Sequence, residues 1–476
     1  MMAMISVKSM VRPMLRPMRS ASRIVRFGLG FVAAVSLTVF TGGCSAITDT
    51  QLPDGVIGPK TYNNREGATR LTQAAREALS TAIRGYIVSS GLLTDELTAS
   101  GNGEPNVGYG SRDQRSGHWS ASAGGPPHTV RALARLARGI VGKYVPGETS
   151  AWQAQLLLYE AYAEILTADG WCSGVPLSTL DFEGDWTYKP GSTTDEIYAH
   201  AIQLLDSAEL RASDSVRLQS AIRVVKARAH LALGQYAEAR QAVQGLDGNF
   251  QYTMRLTFDD WRVRTRYNEF VAYASVSDQE GINGLPYRSS RDPRTTAIQL
   301  TNASNALVWF PARYVATDSS TFVLASGIEA QLILAEAAFQ EHDPDGMLMI
   351  LNALRTSGMF TVDTTQLSGG GERIDTLWQA GLGGIAGLRP LPLPATPEAQ
   401  RQRLFAERAA WLFVTGSRQG DLRRLVRRYG VDREQIYPTG RYTGPGYTGT
   451  YGTDISFGLN QAEFINPLFQ GCRYDD

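Results

Sequence analysis

Histidine and cysteine are scarce: the 476 residues include five histidines and three cysteines. His118, His128, His200, His230 and His342 show no His-Glu-x-x-His pattern and no Cys/His ligand spacing, so no transition-metal site is expected. An excess of one charge is missing as well, with 46 basic and 46 acidic residues. Nucleic-acid binding needs a basic surface that neutralises phosphates, and this composition supplies none. Apolar runs are short, and none reaches the roughly 20 residues that span a bilayer. Gly444-Pro445-Gly446-Tyr447-Thr448-Gly449 fits a dinucleotide-binding expression. The strand before it and the helix after it, which would aim amides at phosphate, are both lacking, and a Gly-rich turn remains. No cofactor is expected, and no catalytic constellation stands out.

What the chain does have begins with an export signal. Lys8, Arg12, Arg16, Arg19, Arg23 and Arg26 form a basic stretch without an acid, followed by the apolar run Phe27 to Phe40 and by Thr41-Gly42-Gly43-Cys44. Residues 1–43 read as a signal peptide. The small residues directly before Cys44 resemble a bacterial lipobox, in which the cysteine thiol is lipidated and the chain is cut before it; ordinary secretory cleavage nearby is the alternative. Residues 44–60 then form a tether and 61–476 the folded domain. Removing the six bases of the signal leaves 40 bases against 46 acids, a net charge of −6. Outside the reducing cytosol, Cys172 and Cys472 form an even pair, and a disulfide between them would tie the C-terminal tail to the body. The chain-entropy account credits so long a loop with about 4 to 5 kcal/mol. Two buried thiols are the alternative.

About 430 residues exceed the roughly 250 to 300 that one core serves, so a split core or a repeat architecture is expected. Ala68, Leu71, Ala75, Ala78, Ala82 and Tyr86 recur every three or four residues and form one apolar stripe. Similar stripes run from Trp152 to Leu166, Ile197 to Ala208, Ala221 to Leu233, Ile328 to Phe339 and Leu404 to Val414. Asn63 with Glu66, Ser150 with Gln153, Thr193 with Glu196 and Ser326 with Glu329 have the spacing of capping boxes. Leu233-Gly234-Gln235-Tyr236-Ala237-Glu238-Ala239 resembles the turn between the helices of a tetratricopeptide repeat, and His342-Asp343-Pro344 separates a second helix pair. The expected fold is all-α and tetratricopeptide-like, with degenerate repeats.

Long insertions interrupt it at about 101–127, 171–191, 249–321 and 362–396, rich in Gly, Pro, Ser, Asp and aromatics. Asp181, Glu183 and Asp185 beside Trp186 could form a carboxylate set for glycoside chemistry, although alternating loop acids are more often solvated. Asp343-Pro344-Asp345-Gly346 lacks the further oxygen donors of a calcium loop and reads as a turn.

Several segments resemble motifs of the SusD/RagB family. They are Asp292-Pro293-Arg294, the helix Glu329 to Ala337, Leu351-Asn352-Ala353-Leu354-Arg355, Glu407-Arg408, Gly416 to Arg424, and Asn466-Pro467 with Gln470. Their order covers the chain from about Thr61 to the end. Trp411 and Thr415 stand where the family usually has glutamates, which bears on the local ion pairs. Glu407, Arg408, Arg418, Asp421 and Arg424 sit at helical spacings that suit bridges between helices, with Gly416 at the corner. The resemblance implies a non-enzymatic outer-membrane lipoprotein, facing outward, that captures a glycan or other nutrient and partners a SusC-like TonB-dependent transporter. A sugar stacks its C–H face on an aromatic ring while its hydroxyls seek polar groups. On that logic, and by position against the family, the ligand contacts are expected among Tyr109, Trp119, Tyr287, Arg288, Trp309 and Arg313. The rival readings are a structural lipoprotein of outer-membrane assembly, which would need no aromatic insertions, and a secreted glycan hydrolase, which would depend on Asp181 or Glu183.

Overall fold

Ala68, Leu71, Ala75, Leu79, Ala82, Ile83 and Tyr86 all face inward along α1, Arg65–Leu93, so its apolar stripe becomes its buried face. Asn64 caps the helix, its Oδ1 accepting the Gly67 amide at 2.8 Å. The cap lies one residue beyond the expected Asn63–Glu66 box, and Glu66 pairs with Arg70 one turn on, at 2.7 Å. The computed structural model describes residues 59–101, 106–113, 121–145, 149–181, 185–255, 274–301, 307–311, 321–356, 388–459 and 466–473. All belong to one compact unit, Gly58–Asp476. The signal stretch and Cys44 lie outside the described residues.

The helices that follow are α2 (Asn106–Gly110), α3 (Ala121–Tyr144), α4 (Thr149–Gly170), α5 (Thr194–Glu209), α6 (Val216–Ala232) and α7 (Tyr236–Val243). After a long excursion come α8 (Gly327–Gln340), α9 (Pro344–Thr356), α10 (Pro397–Trp411) and α11 (Ser417–Tyr429). Neighbours in sequence are neighbours in space: α1 packs on α3, and α3 to α7 pack each on the next. The series continues with α7 on α8 and α8 on α9. This is an all-α, tetratricopeptide-like scaffold. The turn between α6 and α7 holds Gly234 at φ +74°, where a side chain would be strained, and buries Ala239 fully. Thr193 and Glu196 form a complete capping box on α5, with bonds of 3.1 and 2.7 Å. Ser326 caps α8, but the Glu329 carboxylate turns away to Arg228 at 2.7 and 2.8 Å. Ser150 lies inside α4 and so caps nothing.

The insertions are less irregular than expected. Among the described residues they carry short antiparallel ladders: β1 (Leu97–Ala99) with β7 (Ala274–Val276), β2 (Val175–Pro176) with β5 (Gly191–Ser192), and β3 (Thr179–Leu180) with β4 (Trp186–Thr187). β6 (Gln251–Arg255) pairs with β10 (Thr321–Ser326), and β8 (Ala297–Thr301) with β9 (Leu307–Pro311). Partners such as β1 and β7 lie far apart in the chain, so no local period announces them. The first insertion is also shorter than 101–127, because α3 already begins at Ala121.

The core is split. One apolar cluster runs through α1 and α3–α7 to Trp171 and Phe457. A second, built on Leu332, Met347, Leu351, Leu404, Phe405 and Leu422, joins α8 to α11. Cys172 and Cys472 are disulfide-bonded, their Cα atoms 5.6 Å apart across 300 positions. Beside them Ser173 and Arg473 exchange backbone hydrogen bonds of 2.9 and 2.7 Å, so the tail is stitched to the segment that leaves α4.

Candidate functional site

Buried arginines and carboxylates fix the frame around which the loops are hung. Glu336 on α8 accepts two bonds from Arg424 on α11, at 2.7 and 2.8 Å, and one from the Tyr429 hydroxyl at 2.9 Å. Asp421 accepts from Arg408 on α10 at 2.9 and 2.8 Å and from Arg424 at 2.9 Å. Burial opposes the charge of Asp421, yet Arg408 and Arg424 hold its carboxyl below the usual range. Glu407 takes Arg294 at 2.5 and 3.1 Å and Arg355 at 2.7 Å. Arg418 reaches Asp95, just beyond α1, at 2.8 and 3.0 Å. Gly416, at φ +83°, makes the corner between α10 and α11. Trp411, in place of an acid, sets its ring 5.0 Å from the Arg294 guanidinium, so this arginine keeps a partner there of another kind. These groups engage one another inside the body.

Of the six residues expected to meet ligand, Trp119 and Arg313 lie outside the described residues. Tyr109 and Tyr287 are both buried in the core. Tyr109 packs edge-on to Phe457 with centroids 5.2 Å apart. Tyr287 stacks on Phe413 at 4.9 Å and donates its hydroxyl to Asp95 at 3.4 Å.

Arg288 and Trp309 are brought together at the surface. The Arg288 guanidinium carbon lies 5.1 Å from the Trp309 ring centre, and both side chains are partly exposed. β9 holds the tryptophan, whose amide donates to Ser275 Oγ at 2.9 Å, and Asp278 holds the Arg288 amide at 3.1 Å. Leu307, two residues earlier on the same strand face, is 66% exposed, and the exposed Gln299 stands opposite Trp309 on β8. The patch therefore combines a partly exposed indole, packed against the main core and overlain by Arg288, with an aliphatic flank and two sets of N–H donors.

A second aromatic pair lies at the surface. Trp186, 56% exposed, and Tyr188 lie with ring planes 9° apart and centroids 6.2 Å apart. The signal was present in the sequence, since residues two apart on a strand share a face. Beside them Asp181 accepts the Asp185 amide at 2.8 Å, closing the hairpin turn, while Glu183 lies outside the described residues. Among the described residues no group of His, Cys, Asp and Glu could hold a metal ion, and no helix is long and apolar enough to cross a membrane.

No family model and no curated protein matches this chain by sequence. Solved structures do match it. A SusD-like carbohydrate binding protein from Bacteroides vulgatus superposes with a TM-score of 0.57 at 12% identity, over 86% of this chain and 97% of its own. The NanU protein of B. fragilis gives 0.57 at 14% identity, over 89% and 100%. A SusD/RagB family protein from Bacteroides thetaiotaomicron gives 0.54 at 14%, over 83% and 94%. The chain has a SusD-like fold. Within this SusD-like fold, Arg294, Glu336, Arg355, Glu407, Arg408, Asp421 and Arg424, all drawn from the motifs quoted above, form buried ion pairs.

Proposed function

We propose that this chain is a SusD/RagB family lipoprotein, anchored by lipid on Cys44 once residues 1–43 are removed, and that it captures a glycan or related nutrient. It faces outward from the outer membrane and passes its ligand to a SusC-like TonB-dependent transporter. Binding is non-covalent, and no bond of the ligand is made or broken by the protein. The observation that carries the reading is a SusD-like fold spanning 86% of the chain, shared with a structure described as carbohydrate binding. The Arg288–Trp309 patch supports it, because a pyranose ring can lie on the indole while its hydroxyls accept from the guanidinium and from the Gln299 amide.

A glycan array probed with residues 61–476 tests the binding. One glycan class should be retained, and Trp309→Ala with Arg288→Ala should weaken it about tenfold or more, the scale of one lost stacking contact and one charged hydrogen bond. Full retention by the double variant would remove the patch from the site. For the anchor and partner, metabolic labelling with a fatty acid should mark the wild type and not Cys44→Ser, and the labelled protein should co-purify with a large β-barrel. Absence of every retained glycan together with absence of a barrel would overturn the reading as a whole.

A further inference from the structure

A cleft of about 350 Å³ opens between α10, α11 and the turn at residues 433–436, with Asn283 and Leu285 also at its wall and neither Arg288 nor Trp309 in its lining. That volume lies in the range of sites for small molecules, roughly 300 to 1,000 Å³. Phe405, Leu422, Leu425 and Val431, all buried residues, form its apolar wall, and Ile436 and Ala406 lie nearer the solvent. Two guanidiniums also line it. Arg418 commits Nε and Nη2 to Asp95, at 2.8 and 3.0 Å, and is itself a wall of the cleft. Arg401 has no such commitment: the nearest acid oxygen of Glu398 is 4.0 Å away, beyond hydrogen-bond range, and Glu398 is largely in water. The polar side is completed by the Gln435 amide, by Gln402, whose amide donates to Glu398 at 3.4 Å, and by the Glu398 carboxylate at the solvent edge.

We infer that this cleft is a second binding site, for a small organic carboxylate with an apolar or aromatic body. A guanidinium recognises a carboxylate through paired N–H donors, which sets the orientation of such a ligand at Arg401. The body of the ligand then covers Phe405, Leu425 and Val431. A fully hydroxylated sugar is a poor occupant, since hydroxyls against that wall would give up water without a partner.

Phenylacetate and its neutral counterpart phenylacetamide serve as probes, titrated calorimetrically into residues 61–476 at low salt. Phenylacetate should saturate one site, with phenylacetamide about tenfold weaker or worse, the loss expected for one charge-assisted hydrogen bond. Arg401→Gln should weaken phenylacetate to the level of the amide and leave the amide unchanged. Ala406→Phe, at an exposed position, should block both probes with an unaltered melting temperature. Trp309→Ala should leave phenylacetate binding intact, which separates this site from the glycan patch. Equal affinity for acid and amide, no effect of Arg401→Gln, or no saturable heat for phenylacetate at millimolar concentration would each overturn the inference.

Discussion

Single residues in this protein divide into those that hold the frame and those that face solvent, and burial with its partners makes the division. Glu336 is fully buried and compensates Arg424 directly, with Arg408 3.5 Å away. Removing one partner of such a cluster leaves an uncompensated buried charge. Glu336→Leu should therefore cost about 3 to 5 kcal/mol in urea unfolding, and a loss below about 1 kcal/mol would show that the arginines find other acceptors. His200 makes a pH-dependent contribution. Its Nδ1 lies 2.6 Å from the buried Glu164 carboxylate, and that hydrogen bond raises the imidazole above its ordinary value despite partial burial. A raised folded-state value means the stabilisation is complete below about pH 6.5 and is lost as pH rises through that higher value. The urea midpoint should accordingly fall on the alkaline side in the wild type. His200→Gln should flatten that part of the profile, and an identical profile in both proteins would remove His200 as its source.

At the scale of elements, helix starts were legible to within a residue where a short polar side chain could serve as cap. Thr193 does what its spacing with Glu196 suggests, whereas the first cap shifts from Asn63 to Asn64 because neighbouring asparagines offer the same chemistry. The corner at Gly416 depends on backbone conformation. A Cβ there would sit in left-handed geometry and 3.0 Å from the Tyr86 ring. Gly416→Ala should cost about 1 to 3 kcal/mol and speed hydrogen exchange in the first turn of α11. Unchanged exchange there would mean that the corner relaxes at no expense. Strands such as β1 and β7 were illegible for a different reason, since their ladder satisfies its hydrogen bonds across the chain rather than along it.

Across the whole molecule, two apolar clusters and one covalent link organise the fold. The link between Cys172 and Cys472 spans 300 positions and fastens the tail to the exit of α4. Constraining so long a loop in the unfolded chain stabilises by up to roughly 5 kcal/mol before any native strain. Cys172→Ala with Cys472→Ala should lower the melting temperature and raise hydrogen exchange across residues 466–473 while α1 to α7 remain helical by circular dichroism. A tail that stayed protected without the bond would show that the Ser173–Arg473 backbone pair suffices.

The residues alone determined the helical class, the pairing of neighbouring helices and the charged positions that bridge them. The helical class and the pairing rest on local period and capping chemistry, written along one segment at a time, whereas the charged positions were marked by the resemblance and reach partners as distant as Asp95 from Arg418. Which aromatics reach solvent was decided only in three dimensions. Tyr109 and Tyr287, like Trp309 and Trp186, are aromatics outside the long amphipathic helices, yet the first two are packed against Phe457 and Phe413, residues that lie more than a hundred positions away. Burial is a property of what folds over a side chain, and no single stretch of sequence contains that information.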